Sequence, residues 1–438
     1  MRSLYNFLFY LALPFVVARL IWRSLRQPAY RHRLPERFGF YPFKLEKSVW
    51  VHAVSVGEVM AAVPLINLLK NNDLPIVITT MTPTGAAQVK AIFGESVIHA
   101  YVPYDMTGAV RRFFTAASPL ISIILETELW PNLLAACRAH SIPVCLMNAR
   151  LSEKSAKAYG RIAHLTREML QGLAIIAAQG QKDAERLIAL GVAKERVVVT
   201  GNIKFDLTLP EDLAAKSKAL RNLLGQDRFV WIAASTHEGE EAIVLAAHQL
   251  IRAADPNALL ILVPRHPDRF EMIAKTSAQQ FVTIKRTQPL DFTPETAVYV
   301  GDTMGELLLM YGAADVAFIG GSLVARGGHN LLEPAALAKP LLSGTHLFNF
   351  AEISELFIAA KALTQVYDAP SLAEQVIKLR QNAKACKEQG EQALSVMRAN
   401  RGSLMKQWQL IVPLLEQALH SGNKAVSPAD REQNQPVQ

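Results

Sequence analysis

The feature that most narrows what this chain can fold into is a repeated alternation of short apolar runs with helical patterns. In the first half the runs are Val49–Ser55, Pro75–Met81, Val97–Val102, Leu120–Leu125, Pro143–Met147, Ala174–Ala178 and Arg196–Thr200. Between them lie helical patterns such as Glu58–Lys70, Thr84–Phe93, Leu129–His140 and Glu153–Leu173. Apolar runs without polar alternation suit strands covered on both faces, and strands alternating with helices build a doubly wound parallel sheet. Residues 48–206 are therefore expected to form one Rossmann-like domain. The rhythm lapses over Leu207–Asp227, where Pro210 and a charged helix suggest an interdomain linker. It restarts with Phe229–Ala234, Ala258–Val263, Phe281–Lys285, Ala297–Val300, Val316–Ile319 and Pro340–Ser343. A second α/β domain of the same architecture is expected over residues 207–420. Its last stretch, Ser371–Leu419, reads as long charged helices packed across both domains. A chain of 438 residues is too long for one core in any case.

The chain opens differently. Leu4 to Trp22 is apolar except for Asn6 and Arg19, at the lower edge of the roughly 20 residues a spanning helix needs. Arg19, Arg23, Arg26, Arg31, Arg33 and Arg37 follow closely, whereas only Arg2 precedes and no Ala-x-Ala site appears. That order is the reverse of a secretory signal. Residues 1–47 are expected to be an uncleaved anchor or interfacial helix with a basic segment against anionic lipid, the domains lying on the cytoplasmic side. The formal charge of +8 is concentrated there and not interleaved with aromatics, so no nucleic-acid partner is expected. Cys137, Cys145 and Cys386 do not make a disulfide framework, and the scattered histidines give no zinc-like spacing, so no metal is expected. Residues 421–438 are polar and expected to be disordered.

In doubly wound sheets ligands bind beyond the carboxyl ends of strands, so polar residues there carry the chemistry. Three such places stand in the first half. After the first run comes His52-Ala-Val-Ser-Val-Gly-Glu58, where Gly57 would allow a tight turn and Glu58 would open a helix, its dipole holding the carboxylate ionised as a general base requires. Simple charge matching at a helix start explains Glu58 as well. Glu126-Thr-Glu-Leu-Trp-Pro-Asn132 places two carboxylates beside a helix start, with Glu128 a possible cap. In Gly201-Asn-Ile-Lys-Phe-Asp206, Lys204 suits an anionic leaving group, although the residues alone favour a solvated linker lysine.

The second half offers anion sites. Gly320-Gly321 and Gly327-Gly328 bracket a loop between an apolar run and a helix that Asn330 can cap, a geometry that presents backbone amides to a phosphate. Glu333 shares a helix face with Asn330 and can reach a sugar hydroxyl. Tight turns alone would account for these glycines equally well, and neither G-x-G-x-x-G nor a Walker lysine stands here. Ala234-Ser-Thr-His-Glu-Gly239 ends one strand, Arg265 and His266 end another with donors for a phosphate, and Met304-Gly305-Glu306 starts a helix with free amides.

VSVGEV, TTMTPTG, ETELWPN, NARLSEKS, GNIKFD, AASTHEGEE, PRHP, GDTMGEL and GGHNLLEPAA, in this order to about residue 350, together closely resemble the 3-deoxy-D-manno-octulosonic acid (Kdo) transferases. These are glycosyltransferases of the GT-B type, two Rossmann-like domains facing across a cleft, that act in lipopolysaccharide synthesis at the inner membrane. The resemblance implies CMP-Kdo as donor, the lipid A precursor as acceptor, inversion at the anomeric centre and no metal or other cofactor. It implies Glu58 as general base, with Glu128 and Lys204 stabilising the transition state. Arg265, His266, Met304, Gly305, Glu306, Asn330, Leu331, Leu332 and Glu333 would hold CMP. A sugar-nucleotide epimerase shares the two-lobed fold but needs neither anchor nor external acceptor. The sequence pattern of a lipid-A-disaccharide synthase is not found. A non-catalytic nucleotide-binding protein at the membrane is the third alternative.

Overall fold

A computed structural model of the protein describes residues 1–289 and 291–424. The chain forms two compact units, one of Met1–Lys204 together with the segment from Gly402 on, the other of Phe205–Arg401. The first unit carries strands β1 Ser48–His52, β2 Ile76–Thr80, β3 Ile98–Tyr101, β4 Pro119–Leu125, β5 Val144–Ala149, β6 Ile175–Ala178 and β7 Val197–Val199. They form one sheet in the order β3-β2-β1-β4-β5-β6-β7. Every pairing is parallel, for example Val49 opposite Ile76 and Trp50 opposite Ser122. Val49 and Val51 face one apolar layer, while Trp50 packs on the other with Phe113 and Phe114, so helices cover both faces as the unbroken runs predicted.

The second unit carries β8 Val230–Thr236, β9 Leu259–Pro264, β10 Val282–Lys285, β11 Thr296–Val300, β12 Val316–Ile319, β13 Leu341–Ser343 and β14 Leu363–Gln365. Its order is β10-β11-β9-β8-β12-β13-β14, again all parallel. The expected α/β class with two doubly wound sheets is therefore present. The strand order reverses between β1 and β4 in one sheet and between β8 and β12 in the other. Those switch points open the crevices in which such sheets bind ligands.

Four expectations change. The segment expected to be a linker is part of the second unit: its helix Leu213–Leu224 buries Leu220 and Leu224 in that core, and Arg221 pairs with Asp315 at 3.0 Å. The pattern over residues 153–173 is two helices, Glu153–Arg161 and Ala163–Gln171, broken where Ile162 leaves helical geometry. The last helix, Ser403–Lys424, belongs to the first unit and not to the second, because Ile411 and Leu415 bury in the first sheet's core beside Leu404 and Trp408. That helix covers the first four residues of the expected disordered tail, and the rest of the tail lies outside the described residues.

The apolar opening forms one helix, Arg2–Arg26, long and apolar enough to cross a membrane. Phe7, Leu11 and Phe15 are exposed on it. Three of its polar side chains are tied to the first unit. Asn132 Nδ2 donates to Asn6 Oδ1 at 2.6 Å, Tyr5 hydrogen-bonds Asp105, and the Tyr10 and Thr107 hydroxyls are 3.4 Å apart.

Candidate active site

Glu58 sits just past β1, in the first turn of helix Val56–Leu69. Ser55 caps that helix, accepting from the Glu58 amide, and Glu58 reaches back to accept from the Val54 amide at 2.8 Å and the Ser55 hydroxyl at 2.8 Å. This reciprocal box holds the carboxylate rigidly at the strand end. Gly57 lies inside the helix and not in a tight turn; a Cβ there would meet only the Ser55 hydroxyl, at 3.9 Å. Glu58 is 7% exposed. Its carboxyl is raised to about 7: burial is the largest cause, the Ser55 and Val54 hydrogen bonds pull it back, and the nearby charges of Glu126 and Glu128 add to the rise. Burial thus works against the ionised state that the helix start was expected to favour. A carboxylate balanced near neutral pH is better matched to general-base work than a permanently ionised one.

The other first-unit residues gather around it. Glu126 follows β4, the neighbour of β1 across the switch point, with its backbone in the left-handed region at φ 57°. Its carboxylate takes the Lys204 ammonium at 2.8 Å, so Lys204 is a paired group and not a solvated linker lysine. Glu128 does not cap the next helix. It accepts from the Trp130 indole at 3.3 Å, and burial raises its carboxyl. The cap is Asp105, whose carboxylate accepts from the Asn132 and Leu133 amides at 2.9 Å each. Glu58, Glu128 and Lys204, far apart in sequence, therefore converge with Glu126 at one crevice.

In the second unit the glycine loop is arranged differently from the expectation. Glu240, fully buried at the start of helix Glu240–Ala254, accepts from the amides of Gly321 at 2.6 Å, Ser322 at 2.9 Å and Leu323 at 2.8 Å, and from that of His237 at 3.0 Å. The amides at the loop's entry thus hold an internal carboxylate, not a phosphate. Gly320 is required by close approach, since a Cβ there would stand 2.6 Å from the Ser235 carbonyl. Gly321 adopts φ 68°, a conformation costly for other residues.

Beside this loop histidines and arginines cluster past the ends of β8, β9 and β12. The His237 and His329 Nε2 atoms are 2.8 Å apart with their rings stacked, and His266 packs edge-on to His237 at 5.2 Å between centroids. Burial, then the positive surroundings of His237, Arg265 and His266, lowers His329 to about 4, while burial followed by His266, Arg326 and Arg265 lowers His237. His237 and His329 are thus held towards the neutral form, with the Arg265 and Arg326 guanidiniums near them.

The helix after the loop, Leu332–Ala336, has only five residues and no side-chain cap on its first residue. Asn330 accepts from the Leu332 amide at 3.0 Å and donates to Glu333 at 3.0 Å, aiming that carboxylate, which burial raises. Leu331 and Leu332 bury their side chains in the core and can offer a ligand only backbone. Met304 and Gly305 precede helix Leu307–Ala313 in an exposed turn, one strand farther out. Glu306 there is held by Arg286 at 2.9 Å, which keeps its carboxyl low.

A family model described as 3-deoxy-D-manno-octulosonic-acid transferase matches residues 32–207. The chain is 42% identical to a 3-deoxy-D-manno-octulosonic acid transferase of Haemophilus influenzae over 95% of this chain and 99% of that one. It belongs to the Kdo transferase family. A Bordetella pertussis protein of the same name is 39% identical over 82% of this chain and 87% of that one. The chain is thus a glycosyltransferase of this family. Among solved structures, the UDP-GlcNAc 2-epimerase of Neisseria meningitidis superposes with a TM-score of 0.55 over 82% of this chain and all of that one, at 14% identity. That likeness shows the fold alone.

The sequence of this Kdo transferase pointed to the stretch that holds His237 but not to Glu240, His237 or His329 as site builders. A signal was present: two histidines follow the ends of β8 and β12, and an acid opens the helix after Gly239. Nothing in the sequence tells that the carboxylate reaches amides eighty residues away.

Proposed function

We propose that this enzyme transfers Kdo from CMP-Kdo to the lipid A precursor, lipid IVA, with inversion at the anomeric carbon and Glu58 as general base. The observation that carries the reading is the buried Glu58 carboxyl, raised to about 7 and fixed at the β1/β4 switch point beside Glu126, Glu128 and Lys204. Glu58 takes the proton of the acceptor hydroxyl as its oxygen forms a bond to the anomeric carbon. The bond from that carbon to the CMP phosphate oxygen breaks with its electron pair. Lys204, held by Glu126, and Glu128 act on the charge that shifts during this step.

On the donor side, Arg265, His266, His237 and His329 would meet the phosphate and the sugar carboxylate, and Glu333, aimed by Asn330, the nucleoside hydroxyls. A monophosphate leaving group carries less charge than a diphosphate, so guanidinium and imidazole donors suffice to stabilise it and no metal is invoked. The helix Arg2–Arg26, tied to the first unit through Tyr5, Asn6 and Tyr10, would lie in the cytoplasmic face of the inner membrane and not cross it, its outer face in lipid and its exposed Arg19 and Arg23 on anionic head groups. Arg33 and Arg37, by contrast, are engaged within the first unit.

Incubating the protein with CMP-Kdo, with and without lipid IVA, tests the reading. Acceptor-dependent CMP release is expected, and it should vanish in Glu58→Gln. Release or sugar isomerisation without acceptor would support the epimerase-like alternative.

A further inference from the structure

A buried amide network behind Lys204 has no part in the chemistry described so far. Asn148, near the end of β5, adopts φ 52° and interrupts the β5–β6 register between Leu146 and Ala149. Its amide, freed from the ladder, donates to Gln407 Oε1 at 3.1 Å, from the helix Ser403–Lys424. Its side-chain oxygen accepts from the Ile203 amide at 3.1 Å, and its backbone carbonyl accepts from Gln179 at 2.9 Å. Gln179 Oε1 in turn accepts from Asn202 Nδ2 at 2.9 Å, and Asn202 Oδ1 accepts from the Lys204 amide at 3.0 Å. Asn148 and Gln407 are fully buried. Asn148 and Asn202 thus hold the backbone amides of two consecutive residues, Ile203 and Lys204, while Gln407 and Gln179 hold those two asparagines in turn.

We propose that Asn148, Gln179, Asn202 and Gln407 are positioning residues, which fix the Gly201–Lys204 turn so that the Lys204 ammonium stays at Glu126 in the crevice. Ordinary turn stabilisation would not need this arrangement. Asn148 accepts a left-handed backbone, costly for most residues, and leaves its own Nδ2 buried without a partner in order to direct its oxygen at the turn. A lysine side chain has four rotatable bonds, so its ammonium is placed no better than its backbone. Misplacing such a group by about 1 Å costs up to roughly a hundredfold in rate. The inference rests on the reading of Lys204 as a transition-state stabiliser.

The test compares Asn148→Gly, which tolerates the left-handed backbone but deletes the acceptor, with Asn148→Asp, which restores it. Asn202→Ala, at a half-buried position, removes the acceptor for the Lys204 amide together with the donor to Gln179, and serves if the Asn148 variants fail to fold. Asn148→Gly and Asn202→Ala should lower kcat about tenfold to a hundredfold with donor KM changed less than about threefold, and Asn148→Asp should recover most of the loss. A purely structural role would lower the melting temperature while leaving kcat per folded molecule unchanged, and that result overturns the proposal. Lys204→Met is assayed alongside. Normal turnover in it removes the underlying role of Lys204, whereas an inactive Lys204→Met beside a fully active Asn202→Ala removes the positioning role alone.

Discussion

Replacing Glu58 with Gln should separate catalysis from stability, and the size of the split follows from the burial of this carboxyl. Folding moves it from an ordinary 4.5 up to about 7. At roughly 1.4 kcal/mol per pH unit of displacement, keeping Glu58 ionised costs the fold about 3 kcal/mol. The sign follows from the raised value: the stabilising contribution of the protonated form is complete below 4.5 and lost as pH rises through about 7. Glutamine has no charge to bury, but its single acceptor oxygen replaces two that serve Val54 and Ser55. One lost hydrogen bond takes back about 1 kcal/mol. Glu58→Gln should therefore be about 2 kcal/mol more stable than the parent near pH ~8.5 and slightly less stable near pH ~5. In a unit of roughly 200 residues that is a rise of about 4–8 °C in melting midpoint at the higher pH. Turnover should fall about a hundredfold to ten-thousandfold. Thermal melts at both pH values and the transfer assay read the two effects. A variant that melts with the parent at high pH, or that keeps its turnover, would refute the reasoning and move the base to Glu126 or Glu128.

Glu240→Gln should lower the unfolding free energy of the second unit by about 1–3 kcal/mol, because an amide group would face backbone donors in a buried site; denaturant titration measures this. Arg265→Ala should weaken CMP binding roughly tenfold to a hundredfold by calorimetric titration without moving the melting midpoint, the loss of a charge-assisted contact in a site that is not structural. Glu333→Ala should weaken CMP as well while Glu58→Ala leaves it nearly intact; equal losses in both would undo the assignment of nucleotide and base to different units. Deleting Met1–Trp22 should leave a folded protein that no longer sediments with membranes at high salt, and full retention would place the attachment elsewhere.

Much of this was legible in the residues because parallel strands buried on both faces leave uninterrupted apolar runs. Leu363–Gln365 was missed because three residues of mixed polarity at a sheet edge carry no such run. The destination of Ser403–Lys424 was illegible for another reason: an amphipathic stripe says that a helix packs but not on which of two similar sheets. The site shows the same division. Glu58 and Lys204 stand out by their places after strand ends, but the raised carboxyl of Glu58 comes from burial, and the Lys204–Glu126 pair joins residues 78 positions apart. The glycine loop was the most misleading stretch. Its turns and amides are real, yet Glu240, contributed by the helix after β8, occupies the amides a phosphate would have used.

The most direct measurement is mass spectrometry of the lipid recovered after incubating the purified protein with CMP-Kdo and lipid IVA, run beside Glu58→Gln and beside the protein given donor alone. The account predicts a lipid heavier by whole Kdo residues with the wild-type chain, matched by released CMP, and unaltered lipid with Glu58→Gln. Lipid left unmodified by the wild-type protein, or modified equally well by Glu58→Gln, would contradict it.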